Sequence, residues 1–177
     1  MITKHSAGTL AKSKEPTTRH QPESPVNHTP RKRGVLVVND SPLIRSMLDL
    51  NLRRHGFDVW HAENGREAVD NYKPHQELID LILLDVQMPE WTGPQAFTDI
   101  LLISPLVLCC FMSGELGECT EADLIKLGAK QIVLKLLEFN DIGQVIFDLI
   151  ELRDQNLAAG NIQRKVAVIA VALPCEI

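Results

Sequence analysis

Cysteine is scarce in this chain and poorly spaced for its usual uses. Cys109, Cys110, Cys119 and Cys175 form neither a CxxC pair nor a disulfide framework. Two of them sit inside an apolar run that reads as a buried strand, which points to reduced thiols and a cytoplasmic location. Long hydrophobic runs are missing as well. The longest small-apolar stretch, Val166 to Leu173, falls well short of the roughly 20 residues of a membrane-crossing helix. The N-terminus has no continuous apolar segment of the secretion-signal kind, so no membrane association is expected. Basic charge is thin outside the first residues: 1–33 hold seven Lys/Arg against two Asp/Glu, a net of +5, and a total of −5 leaves −10 on the remainder. An acidic core argues against non-specific nucleic-acid binding, which depends on clustered cations that neutralise phosphates.

What is present is enough apolar material, 45% of 177 residues, for one domain with a real core. Residues 1–33 are rich in Pro, Ser, Thr, His and Lys and nearly devoid of large apolar side chains. They cannot bury enough surface to offset ordering entropy and are expected to form a disordered basic tail. From Gly34 to about 154 the texture is that of a folded domain, and 155–177 form a C-terminal tail of unassigned structure. In that tail Val166 to Leu173 suits an extra strand, a partner-binding segment or a packed tail equally well.

Within 34–154, short apolar runs alternate with helix-like segments. Gly34 to Asn39 is rich in β-branched residues, as suits a strand covered on both faces. Asp40-Ser41-Pro42 offers two N-caps and a proline for the first helical position, predicting a helix that ends near Gly56. A strand over 58–62, a helix from Asn64 to about Tyr72 and a central strand from Leu78 to Asp85 follow. Then come a helix over Gly93 to about Ile103, a strand over 106–112 and a helix from Thr120 to Leu127 closed by Gly128. A strand over 131–134 and a helix from Asn140 to about Leu152 complete the series. Five strand-helix units in alternation predict a doubly wound α/β fold: a five-stranded parallel sheet with helices on both faces.

Ligands of open parallel sheets bind beyond the carboxyl ends of the strands. The polar residues expected there are Asn39 and Asp40, Asp85, Ser113 and Lys135. Two carboxylates brought together repel each other and invite a divalent cation, for which Mg²⁺ is well suited. An ionised aspartate can attack a phosphoryl group when a cation and nearby donors, here Ser113 and Lys135, neutralise the transferring oxygens.

Four stretches carry this constellation: Val-Leu-Val-Val-Asn39-Asp40-Ser-Pro; Leu-Ile-Leu-Leu-Asp85-Val-Gln-Met88-Pro89 with Gly93; Phe-Met-Ser113-Gly; and Gly128-Ala-Lys-Gln-Ile-Val-Leu-Lys135. In this order they resemble the motifs of the response-regulator receiver family, and the resemblance covers roughly residues 34–152. It implies a flavodoxin-like (βα)5 receiver fold, with Asp85 as phosphoacceptor, Ser113 as the switching hydroxyl and Lys135 as phosphate partner. It also implies Mg²⁺ held by Asp40, Asp85 and the Gln87 backbone carbonyl, with Asn39 at the family's first acidic position. The implied donor is a histidine kinase or histidine phosphotransfer protein. The implied output is contact of the fourth-helix and fifth-strand face with a separate downstream protein, since 155–177 is too short for an output domain.

Three residues depart from that pattern. Asn39 stands where the family has Asp or Glu, removing a charge near the cation. Ile132 stands where a Tyr or Phe usually turns with the hydroxyl, and Leu136 follows Lys135 where proline is usual. They motivate an alternative, a degenerate receiver that binds partners without phosphorylation. An aspartate-nucleophile phosphohydrolase is a weaker alternative, because Gln87 occupies the place of its second aspartate. A flavodoxin-like cofactor binder is weaker still, because Asn39-Asp40-Ser41-Pro42 is no glycine-rich phosphate cradle.

Blander readings suffice elsewhere. Asp85, Ser113 or Lys135 alone would read as a cap, a turn former or a surface lysine, and only their joint placement argues chemistry. Met88-Pro89 and Gly93 read as loop-shaping residues. The tail histidines are too far apart to bind a metal, and Arg31-Lys32-Arg33 reads as a solvated charge run. Trp91 packs over the acceptor loop or stands exposed for recognition.

Overall fold

The computed structural model describes residues 31–114, 120–134 and 141–160. The expectations for both tails, and those on Cys119, Lys135, Leu136, Asn140 and Cys175, lie outside these residues. Five strands, β1 (Gly34–Val38), β2 (Asp58–Ala62), β3 (Leu81–Asp85), β4 (Leu108–Ser113) and β5 (Gln131–Leu134), alternate with five helices. These are α1 (Pro42–Arg54), α2 (Gly65–His75), α3 (Gly93–Ile103), α4 (Glu121–Leu127) and α5 (Ile142–Ala158). The sheet is parallel throughout, in the order β2-β1-β3-β4-β5, as expected of a doubly wound fold.

Successive strand residues point to opposite faces, and here both faces are covered. Leu36, Val38, Ile82, Leu84, Cys109 and Phe111 pack with Tyr72 of α2, Phe97 and Ile100 of α3, and Leu124 and Leu127 of α4. Val35, Val37, Leu81, Leu83, Cys110 and Met112 pack with Leu48 and Leu52 of α1 and Ile142, Ile146 and Ile150 of α5. This two-sided burial is why the strands read as unbroken apolar runs. Each fully buried Leu, Ile or Val contributes about 1.5–3 kcal/mol. Burial also pushes the Cys110 thiol up to about 12 and the Cys109 thiol well above its ordinary range. Both stay protonated, inert parts of the core.

The helix boundaries follow local chemistry. Ser41 is the N-cap of α1, accepting from Ile44 N–H, and Pro42 opens the helix. Thr120 caps α4, and Gly128 ends it at φ 113°. Four boundaries show the physical reasons for departures from the sequence reading. α2 continues past Tyr72 through Pro74 to His75, because buried Tyr72 and the contact of His75 with Trp60, ring centroids 5.6 Å apart, hold its last turn in place. β3 therefore starts at Leu81 rather than Leu78, whose N–H bonds back to His75 C=O. β4 begins at Leu108, after a turn in which Val107 N–H donates to Ser104 C=O. α5 runs past Leu152 to Ala158.

The basic cluster is also more engaged than a solvated run. Lys32 Nζ lies 3.8 Å from Asp58, and Arg33 pairs with Glu151 and Asp154 of α5. The Arg33 guanidinium lies 5.1 Å from the centre of the Phe147 ring. Acidic and aromatic groups far off in sequence capture these cations. Among the described residues no helix is long and apolar enough to cross a membrane.

Candidate functional site

Among the described residues only four polar side chains are buried: Asn39, Asp80, Asp85 and Ser113. Three of them lie at the carboxyl ends of the adjacent strands β1, β3 and β4. The register explains how they meet: Val38 pairs with Leu84 and Asp85 with Met112, so Asn39 flanks Asp85 on one side and Ser113 follows on the other. Neighbouring strands lie about 4.8 Å apart, which brings residues distant in sequence to one point.

Asp85 sits with one carboxylate oxygen accepting from the Asn39 side-chain amide at 2.8 Å and the other from Gln87 N–H at 3.2 Å. Asn39 Oδ1 accepts in turn from Ser41 N–H at 2.8 Å, so its amide nitrogen faces Asp85 and its oxygen faces the first turn of α1. Ser113 Oγ is buried and has no hydrogen-bond partner among the described residues. The register of β3 and β4 places this hydroxyl one residue beyond the partner of Asp85. Asp40 is exposed on the loop above, and the Gln87 side chain also faces solvent. Ile132 is half-buried against the core on the α2–α4 side of the sheet.

The loop after Asp85 is held from both ends. Val86 N–H donates to Met112 C=O at 3.0 Å, and Gly93 N–H donates to Val86 C=O at 3.1 Å. A Cβ at Gly93 would stand 2.0 Å from the Asp85 carbonyl oxygen. Only glycine lets α3 start this close to the end of β3. Between these anchors Glu90 adopts φ 65°, a left-handed conformation that costs a non-glycine residue about 1 kcal/mol or more. Trp91 is half-buried, its ring 5.0 Å from the Arg66 guanidinium of α2, so it packs over the loop.

The fold thus brings together Asn39, Asp85, Gln87 and Ser113, with Asp40 on the adjoining loop, while Lys135 lies outside the described residues. Arg45 is an addition that sequence reasoning missed. Its guanidinium donates to the Asn39 carbonyl at 2.6 Å and the Asp40 carbonyl at 3.2 Å, bracing the loop that carries both. Nothing in the local pattern distinguishes it from any exposed helical arginine.

Residues 35–147, more than half of the chain, match the family described as response regulator receiver domain. The chain is 36% identical over 106 residues to the chemotaxis protein CheY of Thermotoga maritima, covering 58% of this chain and 85% of that one. It is 32% identical over 115 residues to the chemotaxis protein CheY of Bacillus subtilis, covering 63% and 92%. A solved CheX-CheY-BeF3-Mg²⁺ complex from Borrelia burgdorferi matches with a TM-score of 0.61 and 28% identity, over 66% of this chain and 87% of that one. The parallel five-stranded sheet, its strand order and these likenesses agree: the chain belongs to the response regulator receiver domain family of two-component signalling, and resembles its chemotaxis-type members.

Proposed function

We propose that the chain accepts a phosphoryl group on Asp85 from a histidine kinase or histidine phosphotransfer protein and signals by contact with a downstream protein. The observation that carries this reading is the buried Asp85 carboxylate, held at both oxygens, beside a buried Ser113 hydroxyl with no partner among the described residues. A carboxylate oxygen attacks the phosphorus, the phosphorus–nitrogen bond of the donor histidine breaks, and the imidazole leaves with that electron pair and takes up a proton. Ser113 then has an acceptor for its O–H in a phosphoryl oxygen, a hydrogen bond that it does not make to any of the described residues here.

The donor set suits Mg²⁺, which binds through one or two carboxylates and keeps several waters. Asp40, Asp85 and the Gln87 carbonyl would hold it. When bound, it supplies charge neutralisation for the transferring oxygens. Asn39 contributes an N–H to Asp85 in place of a lone pair for the cation. Lys135 is assigned the role of phosphate partner from its place in the motif.

Intact-mass spectrometry after incubation with Mg²⁺ and acetyl phosphate tests this reading. One added phosphoryl group that requires Mg²⁺ and is lost in Asp85→Asn supports it. An unmodified chain that also fails to bind Mg²⁺ supports the second reading, a receiver that binds partners without phosphorylation. The orientation of Asn39 favours that alternative, because it replaces an acidic cation ligand with a donor turned towards Asp85.

A further inference from the structure

Arg45 stands at the wrong end of its helix for helix stability. It lies in the first turns of α1, where its N–H donates to the carbonyl of the N-cap Ser41 at 3.1 Å. The positive end of the helix dipole disfavours a cation there and favours acidic side chains. α1 has no acidic residue in its first turn, and its other arginines, Arg53 and Arg54, occupy the last turn, where the dipole suits them. Long side chains of a helix point back towards its N-terminus. The Arg45 guanidinium uses that reach to donate to the carbonyls of Asn39 at 2.6 Å and Asp40 at 3.2 Å.

Those carbonyls belong to the two peptide planes that flank the Asp40 Cα atom. Peptide units are planar, so holding both planes fixes φ and ψ of Asp40, and with them the direction in which its side chain leaves the backbone. Asn39 and Asp85 are buried and bonded through their side chains. Asp40 is exposed, so little packing sets its direction. We propose that Arg45 is the positioning residue of the cation site: through the two carbonyls it holds Asp40 in place to bind Mg²⁺ together with Asp85. This rests on the reading of Asp40 and Asp85 as cation ligands. Among the described residues the guanidinium bonds to these carbonyls and to neither carboxylate. A brace and a bare charge act with opposite signs. A cation near a Mg²⁺ site repels the metal, so removing a charge that did nothing else tightens binding. Removing a brace weakens binding, because the loop must then become ordered as the metal binds.

Calorimetric titration of Mg²⁺ into the full-length native chain, Arg45→Met and Arg45→Lys reads that sign. Arg45→Met is expected to bind Mg²⁺ about tenfold more weakly, the lower end of the range for residues that orient metal ligands. Without Mg²⁺, NMR-detected hydrogen exchange of the Ser41 amide, which Asn39 Oδ1 holds, should speed up in this variant, with protection of β1 and β3 as the control for folding. With acetyl phosphate, the Mg²⁺ concentration for half-maximal uptake on Asp85 should rise by the same factor while the rate at saturating Mg²⁺ is retained. If Arg45→Met does not fold, Arg45→Lys decides. It keeps the charge and loses the two-pronged geometry, so weakening by about threefold, the order of one hydrogen bond, comes from the brace alone, and native-strength binding overturns the proposal. Equal or tighter binding by folded Arg45→Met, while the native chain binds Mg²⁺, overturns the proposal alone. A native chain that binds no Mg²⁺ overturns the reading of the cation site and this proposal with it.

Discussion

The two ends of the central strand carry the same chemistry to opposite purposes. Asp80, just before β3, and Asp85, at its end, are both buried carboxylates. Asp80 accepts from Gly34 N–H at 2.9 Å and from Arg153 of α5 at 3.0 Å, and the Asp80 carbonyl also accepts from Arg153 at 3.1 Å. That end is a buried ion pair that ties α5 to β1 and β3. At the other end the contacts of the Asp85 carboxylate include the Asn39 side-chain amide and the Gln87 backbone N–H. An exposed carboxylate and a buried hydroxyl with no partner among the described residues stand nearby, and a loop residue is held at positive φ. One buried carboxylate closes an ion pair between elements of the fold, whereas the other sits among polar groups of the kind that cluster at functional sites.

Exchanging the roles of the two ends gives the sharpest test. Asp85→Asn should abolish phosphoryl uptake while changing stability by less than about 1 kcal/mol, since an amide can keep the Asn39 and Gln87 contacts in part. Arg153→Ala should do the reverse. It leaves the Asp80 carboxylate buried without its guanidinium, a loss of roughly 3–5 kcal/mol in urea unfolding, with uptake on Asp85 retained in the folded fraction. If Asp85→Asn destabilises as much as Arg153→Ala, the contrast between the ends fails.

Gly93→Ala should damage both properties, because the added carbon lies 2.0 Å from the Asp85 carbonyl oxygen. Stability should fall by about 1–3 kcal/mol and the rate of uptake should drop, measured by unfolding and by time-resolved intact mass. Asn39→Asp should act on the site alone. A second carboxylate beside Asp85 should tighten Mg²⁺ binding by about tenfold in a calorimetric titration, the order expected for one added charge partly screened by solvent.

An effect that vanishes at neutral pH concerns the sheet between the two ends. Cys109 and Cys110 hold their protons in the folded state because burial raises both thiols, whereas the unfolded chain releases them around the ordinary value of 9.0. Their contribution to stability is therefore complete below about pH 9 and falls as pH rises towards about 12. Unfolding followed across this range should show that decline, and Cys110→Ala should make it shallower.

The element types and their order were legible because two-sided burial leaves unbroken aliphatic runs, and because Ser41-Pro42, Thr120 and Gly128 act through bonds only a few residues long. The ends of α2 and β3 were not. Lys73-Pro74 reads as a helix stop, and only the contacts of Tyr72 and His75 with the rest of the fold keep that last turn. Asn39, Asp85 and Ser113 could be named in advance because each ends an apolar run, and in a parallel sheet every such run ends at the same edge.

The sequence by itself determined the alternation of strands and helices, the parallel sheet and the set of residues at its carboxyl edge, since these depend on local periodicity and capping. Only the tertiary structure decided which way the Asn39 amide faces, that Ser113 lacks a partner among the described residues, that Arg45 braces the loop and that Arg33 and Arg153 are held by acidic groups. Each of these depends on groups brought together across the sheet or between helices, distances that no local pattern encodes.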